Sequence, residues 1–199
     1  MIQKKDYAME YKFEKNQMDL RVLREFCEHE GEKVEYRKGD AFEHEGEPAR
    51  WFAYVSEGCF KYVTRGYNDG KAHITWFSLE GEYVVDYPTF LYGQPSQATI
   101  EAMTPSCVWR VSGQQLERFF NQSIETMRLR AVIAEHILFQ FRSRYFDLHC
   151  ATARERYEML MQRCPGIALY LDLKDLASFF NVTPKTISMI RKYITFGKD

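Results

Sequence analysis

Near the C-terminus, the segment LDLKDLASFFNVTPKTISMIRKYI carries residue types whose spacing suits contact with nucleic acid. Asp172 is a helix cap ahead of residues 173–180, with Asp175 in the first turn, where the helix dipole favours negative charge. Leu176 and Ala177 face inward, and Ala177 is small where a second helix must cross. Asn181 stands at a sharp turn and tolerates the left-handed conformation needed there. Thr183 then caps a second helix whose first residue is Pro184, where a missing N–H costs nothing, and Ile187 and Ile190 lie on its buried side. These offsets describe a helix-turn-helix. The opposite face presents Lys185, Ser188, Met189 and Lys192, with Thr183, Thr186 and Arg191 at its edges. Lysines reach guanine or phosphate, hydroxyls reach phosphate, and Met189 can touch a thymine methyl, so the partner expected is double-stranded DNA. The competing reading is an αα-hairpin with a solvated polar face.

Catalytic and metal-binding patterns are weaker. The five cysteines (Cys27, Cys59, Cys107, Cys150, Cys164) are odd in number and scattered, and read as reduced, mostly buried thiols of a cytoplasmic protein. The histidines His29, His44, His73, His136 and His149 show no ligand pairing. A metal enzyme on a cupin-type barrel needs two or three His and a carboxylate at one point, and only His44 and His73 fall within the barrel region. No nucleophile elbow, phosphate loop or HExxH motif occurs, so no enzyme, metal or cofactor is expected.

The elements that position the C-terminal motif follow from periodicity. Met127, Ala131, Ala134, Leu138, Phe141, Tyr145 and Leu148 repeat every seven residues, as a coiled-coil seam does. Small alanines in the seam and arginines around it favour a helix that pairs with its twin; burial within one chain is the alternative. Ile133 and Ile137 form a second stripe that could pack back on the preceding domain. Between Val34 and Val111, short apolar or alternating runs are separated by turn signals about every ten residues, as in an antiparallel barrel or jelly roll. Asn68-Asp69-Gly70 is the best hairpin signal. The first thirty residues look helical, with Leu20, Leu23, Phe26 and Cys27 on one face, and residues 153–163 form a shorter helix. The start lacks the apolar stretch of a secretory signal, and no run approaches eighteen apolar residues, so no membrane partner is expected. The chain has 199 residues and a formal net charge of −1. Residues 121–199 hold 12 Lys+Arg against 8 Asp+Glu, and residues 1–120 hold 15 against 20, which permits a nucleic-acid partner at the C-terminal end.

This order of parts resembles the Crp/Fnr family of bacterial transcription regulators, especially the short members of Bacteroidetes-type bacteria. The local matches are Tyr36-x-Lys38-Gly39-Asp40, Glu47 before WFAYV, Gly58 in SEGCFKYV, Gly81-Glu82 before YVVD, and VTPKTISMIRK. The resemblance implies an α+β fold: a cyclic-nucleotide-binding-like antiparallel β-roll (jelly roll) with an N-terminal helix over residues 1–121, a dimerisation helix over 122–149, and a helix-turn-helix domain over 150–199. It implies a cytoplasmic homodimer that reads DNA in answer to a small-molecule effector, with RNA polymerase as a further partner. In cyclic-nucleotide-binding members a Glu holds the ribose and an Arg-Ser or Arg-Thr pair holds the phosphate. Here Asp86 stands at the Glu position, Ser96 at the Arg position and Gln97 at the Ser/Thr position. A buried phosphate without its cation loses charge-assisted hydrogen bonds and keeps its desolvation cost, so no tight cyclic AMP binding is expected. The pocket implied for another small molecule is lined by Tyr83, Asp86, Tyr87, Ser96 and Gln97. The clustered cysteines of iron–sulfur members are missing. Longer members carry a β-wing after the recognition helix, whereas only residues 195–199 follow Ile194, and relatives place Arg at the position of Met189. These departures leave a second reading open: a ligand-binding or interaction module whose helix-turn-helix is degenerate.

Overall fold

In the computed structural model, which describes residues 20–197 except 69, 165, 168 and 169, the strand-rich stretch closes into a two-sheet roll. Its elements are α1 (Arg21–Glu30), β1 (Glu32–Tyr36), β2 (Ala41–Glu43), β3 (Trp51–Glu57), β4 (Cys59–Arg65), β5 (Ala72–Leu79), β6 (Tyr83–Val84), a 3₁₀ turn (Thr89–Tyr92), β7 (Thr99–Ala102) and β8 (Ser106–Ser112). One sheet runs in the order β1-β8-β3-β6, the other β2-β7-β4-β5, and all pairings are antiparallel. The expected jelly roll is therefore present. The Asn68–Gly70 signal does join the paired strands β4 and β5, through a six-residue connection at 66–71 in which Gly66 N donates to Lys71 O at 2.8 Å. The rest of that signal, Asp69, lies outside the described residues, as does the expected helix before residue 20.

Alternation builds the interior. Phe42, Ala53, Val55, Phe60, Val84, Ile100 and Val108 pack between the sheets. Tyr62 joins them because its hydroxyl is satisfied: it lies 3.1 Å from Ser78 Oγ, donates to Val85 O at 3.2 Å and accepts from Val85 N at 3.1 Å. Gly58 is required where β3 turns into β4. Its φ is +84°, and a Cβ there would come within 2.7 Å of Pro105 O.

Five α-helices follow among the described residues: α2 (Gly113–Phe120), α3 (Ile124–Cys150), α4 (Ala153–Arg163) and then the pair α5 (Leu173–Phe180) and α6 (Pro184–Phe196). The helices α2, α3 and α4 each open with a capping box, from Ser112, Ser123 and Thr152. Helix α3 carries no fully buried side chain. Ile133 packs onto a cluster of Leu23, Cys27, Phe52, Val111, Leu116, Phe119 and Phe120, which seats α1 and α2 on the outer face of one sheet. The seam residues Met127, Ala131, Leu138, Phe141, Tyr145 and Leu148 are exposed, and Ala134 is half-buried. Leu138 is 69% exposed. Of the cysteines, only Cys150 is exposed, and all five are free thiols. No described helix is long and apolar enough to cross a membrane.

Candidate functional site

The helix-turn-helix is built from local signals. The Asp172 carboxylate accepts the Asp175 N–H at 2.7 Å, and Leu176, Ala177, Phe179 and Phe180 are buried. Asn181 adopts the left-handed conformation (φ 52°, ψ 50°), and Val182 N donates back to Ala177 O at 2.9 Å, closing the end of α5. Thr183 Oγ1 accepts the Thr186 N–H at 3.2 Å, Pro184 starts α6, and Ile187 and Ile190 are buried. On the other face Thr183, Lys185, Ser188, Met189 and Lys192 are exposed, Met189 by 61%. Thr183 and Lys185 flank the helix N-terminus, whose N–H groups and dipole attract phosphate, and Ser188, Met189 and Lys192 continue that face along the later turns. Thr186 is half-buried, its hydroxyl 2.9 Å from that of Thr183.

Arg191 departs from the sequence expectation. It is half-buried, its Nε donates to the Tyr157 hydroxyl at 3.3 Å, and its Nη2 is buried without a hydrogen-bond partner among the described residues. Position 191 falls one residue after buried Ile190, so α4 captures the guanidinium instead of leaving it at the edge of the exposed face.

Periodicity carries no sign of the arginines that hold this domain in place. Arg144 of α3 donates from Nη2 to Phe179 O at 3.0 Å and lies over the Phe179 ring at 3.7 Å. Arg156 of α4 donates from Nη1 to Leu148 O and from Nη2 to Phe180 O, both at 3.0 Å. The last carbonyls of α5 are thereby capped by cations from two other helices, which suits the negative end of a helix dipole. Burial, followed by the fields of Arg156 and Arg163, lowers the Arg144 pKa to about 10. The roll holds the same domain from its other side. Ser178 Oγ accepts the Ile74 N–H at 2.9 Å, Phe77 and Phe179 stand 4.6 Å apart, Lys61 pairs with Asp175 at 3.6 Å, and Arg163 pairs with Glu82 at 3.0 Å. Cys59, Ile74, Phe77 and Met103 of the roll share one apolar cluster with Tyr157, Leu160, Leu176 and Phe180.

Within the roll, three of the five residues expected to line a pocket converge. Asp86 Oδ2 accepts the Gln97 N–H at 2.7 Å and lies 2.9 Å from Ser96 Oγ, which is buried. The carboxylate thus closes the loop on itself. Tyr83 does not belong to this group. Alternation places its neighbour Val84 inside the roll, so Tyr83 points outward, stacks on Phe52 at 5.1 Å and donates its hydroxyl to Leu20 O at 3.0 Å. Burial raises its phenol pKa. Tyr87 is half-buried within the field of Arg130 of α3, which opposes the rise that burial causes. Glu43 was not expected at all: it is 6% exposed and accepts the N–H groups of Arg50 and Trp51 at 2.9 and 3.0 Å. Burial raises its pKa, and the nearby Asp86 adds to that. No three His, Cys, Asp or Glu side chains among the described residues gather as a metal site.

Residues 33–123 match the cyclic nucleotide-binding domain family. Among solved structures, FixK2 from Bradyrhizobium japonicum is 22% identical, with a TM-score of 0.72 over 84% of this chain and 86% of that one. The regulator CLP from Xanthomonas campestris, described as a c-di-GMP-responsive global regulator, is 14% identical, with a TM-score of 0.63 over 89% and 92%. A CRP-family transcriptional regulator from Thermus thermophilus, TTHB099, is 16% identical, with a TM-score of 0.62 over 81% and 84%. Similarity at these identities is similarity of fold. A sequence search of curated proteins gives no match.

Proposed function

With a domain of the cyclic nucleotide-binding family at residues 33–123 and the fold of Crp/Fnr regulators, we propose that this chain is a homodimeric, sequence-specific DNA-binding transcription regulator and not an enzyme. The observation that carries this reading is the exposed face of α6. Thr183 and Lys185 flank a capped helix N-terminus, with Ser188 and Lys192 further along the same face, on a helix-turn-helix braced by Arg144 and Arg156. The brace ties α5, the first helix of the pair, to α3 and α4, and α3 exposes the seven-residue repeat on an adjoining face. Pairing of two α3 helices through that seam would set two recognition helices against half-sites about 34–36 Å apart, one DNA turn. The protein would act in the cytoplasm, with RNA polymerase as a further partner.

The signal is a small molecule other than cyclic AMP. Position 96 offers a hydroxyl and no guanidinium, and the Asp86 oxygen that would meet a ribose already accepts from Gln97 N. A cyclic phosphate placed there meets no cation from that loop and keeps its desolvation cost.

A second reading draws on Met189 and Arg191. The centre of the exposed face is apolar, and the arginine that should flank it is held by Tyr157, so the surface has fewer cations than a strong reader needs. Selection of genomic fragments on the purified protein, then titration of the best fragment at several salt concentrations, separates the two. A palindromic site with a steep salt slope is the expected result, and uniformly weak binding to every fragment, with or without cell-extract metabolites, refutes it in favour of an interaction module.

A further inference from the structure

Outside the roll, a cleft of about 380 Å³ opens where α3, α4 and α5 meet β5. Its size is that of a small-molecule site. Aromatic walls come from Trp76 and Phe179, and polar groups from Ser143, Arg144, Asp147 and Arg156. Two polar atoms of these groups are unpaired. Ser143 Oγ and Arg156 Nε are buried, and neither has a hydrogen-bond partner among the described residues. A buried donor left unmade is costly, and an acceptor placed against it would relieve that cost. The charges agree. Arg144 and Arg156 line the cleft with Arg163, against Asp147 on the lining and Glu82, which pairs with Arg163. Three guanidinium groups face two carboxylates, so one positive charge is unmatched.

We propose that this cleft binds an organic monoanion with an apolar body, of the aryl- or alkyl-carboxylate class, its carboxylate on Arg156 Nε and Ser143 Oγ and its body against Trp76 and Phe179. The site is distinct from the Asp86–Ser96–Gln97 loop inside the roll. It lies at the arginine brace, since Arg156 also holds Phe180 O and Arg144 holds Phe179 O. An anion there is within reach of the contacts that orient the helix-turn-helix against α3. The binding claim stands apart from DNA recognition, because its test reads the cleft alone.

The probe is 4-phenylbutyrate, compared by calorimetry on the full chain with its uncharged amide. One carboxylate per chain is expected, with the amide at least about tenfold weaker, a difference of about 1.4 kcal/mol. Arg156→Gln keeps an amide donor but removes the charge and should weaken the carboxylate by a similar factor. Ser143→Leu fills the cleft from α3 without changing charge and should abolish binding while the melting curve stays that of a folded protein. No heat at millimolar probe, equal affinity for acid and amide, or undiminished binding in Arg156→Gln overturns the proposal. Should Ser143→Leu fail to fold, the acid–amide comparison and Arg156→Gln still decide.

Discussion

Replacing Leu138 by Glu tests whether the exposed repeat on α3 is a seam between two chains. Leu138 is 69% exposed in the single chain, so its burial must come from a partner. Full burial of a leucine stabilises by about 1.5–3 kcal/mol, and the exposed share of that is about 1–2 kcal/mol. A two-fold seam uses each residue twice, so the dimer should lose about 2–4 kcal/mol, a roughly 30- to 700-fold rise in dissociation constant. The two carboxylates set across the seam add to that cost. Sedimentation equilibrium reads the dissociation constant, and thermal unfolding at low protein concentration reads the fold. The chain's own stability should change by no more than about 0.5 kcal/mol, because the side chain has little to lose within one protomer. Ile133→Glu is the opposite control: Ile133 packs on the α1–α2 cluster, so that change should damage folding before pairing. An unchanged dimer in Leu138→Glu, or a chain that unfolds, refutes the assignment of this face.

Three other outcomes are expected. Lys185→Ala should weaken DNA binding about equally on all sequences and lower the magnitude of the salt slope by about 1, read by fluorescence anisotropy at several salt concentrations, since an exposed lysine at the start of α6 meets phosphate. Asn181→Gly should leave stability nearly unchanged, whereas Asn181→Val should cost about 1–2 kcal/mol by denaturant unfolding, because φ is +52° and a β-branched side chain clashes there. Glu43→Ala orphans the Arg50 and Trp51 N–H groups and should cost about 1–3 kcal/mol, while Glu43→Gln keeps an acceptor. Burial raises the Glu43 pKa in the folded state, so its favourable contribution is present below the ordinary glutamate value and lost as pH rises through the folded one. Glu43→Gln should therefore gain on the wild type as pH rises across that window, and parallel stability–pH curves would contradict this.

Physical range separates what was legible in the sequence from what was not. The helix bounds 153–163 and 173–180, the left-handed Asn181, the Thr183 cap and the antiparallel roll rest on interactions within a few residues or on periods of two and seven. Those signals survive any tertiary context, and the α5–α6 pair follows from them almost unaided. The capping boxes at Ser112, Ser123 and Thr152 are equally local and were there to be read. Tyr83 is an intermediate case: strand alternation decides its direction, but only once Val84 is known to face the roll interior. Other features depend on partners far along the chain. Arg191 looks like an edge residue of the recognition face until α4 brings Tyr157 beside it. Arg144 reads as a charge beside the seam and nothing along the chain marks Arg156 or Arg163, yet folding sets two of them on the carbonyls of Phe179 and Phe180 and the third on Glu82. A carbonyl has no sequence signature, and a guanidinium reaches several ångströms, so no spacing rule pairs them. Short-range chemistry written along the chain therefore sets the elements and what each of their faces presents. Long-range folding alone selects which charges are spent on holding the domains together, which remain for a ligand, and where the cleft between them lies.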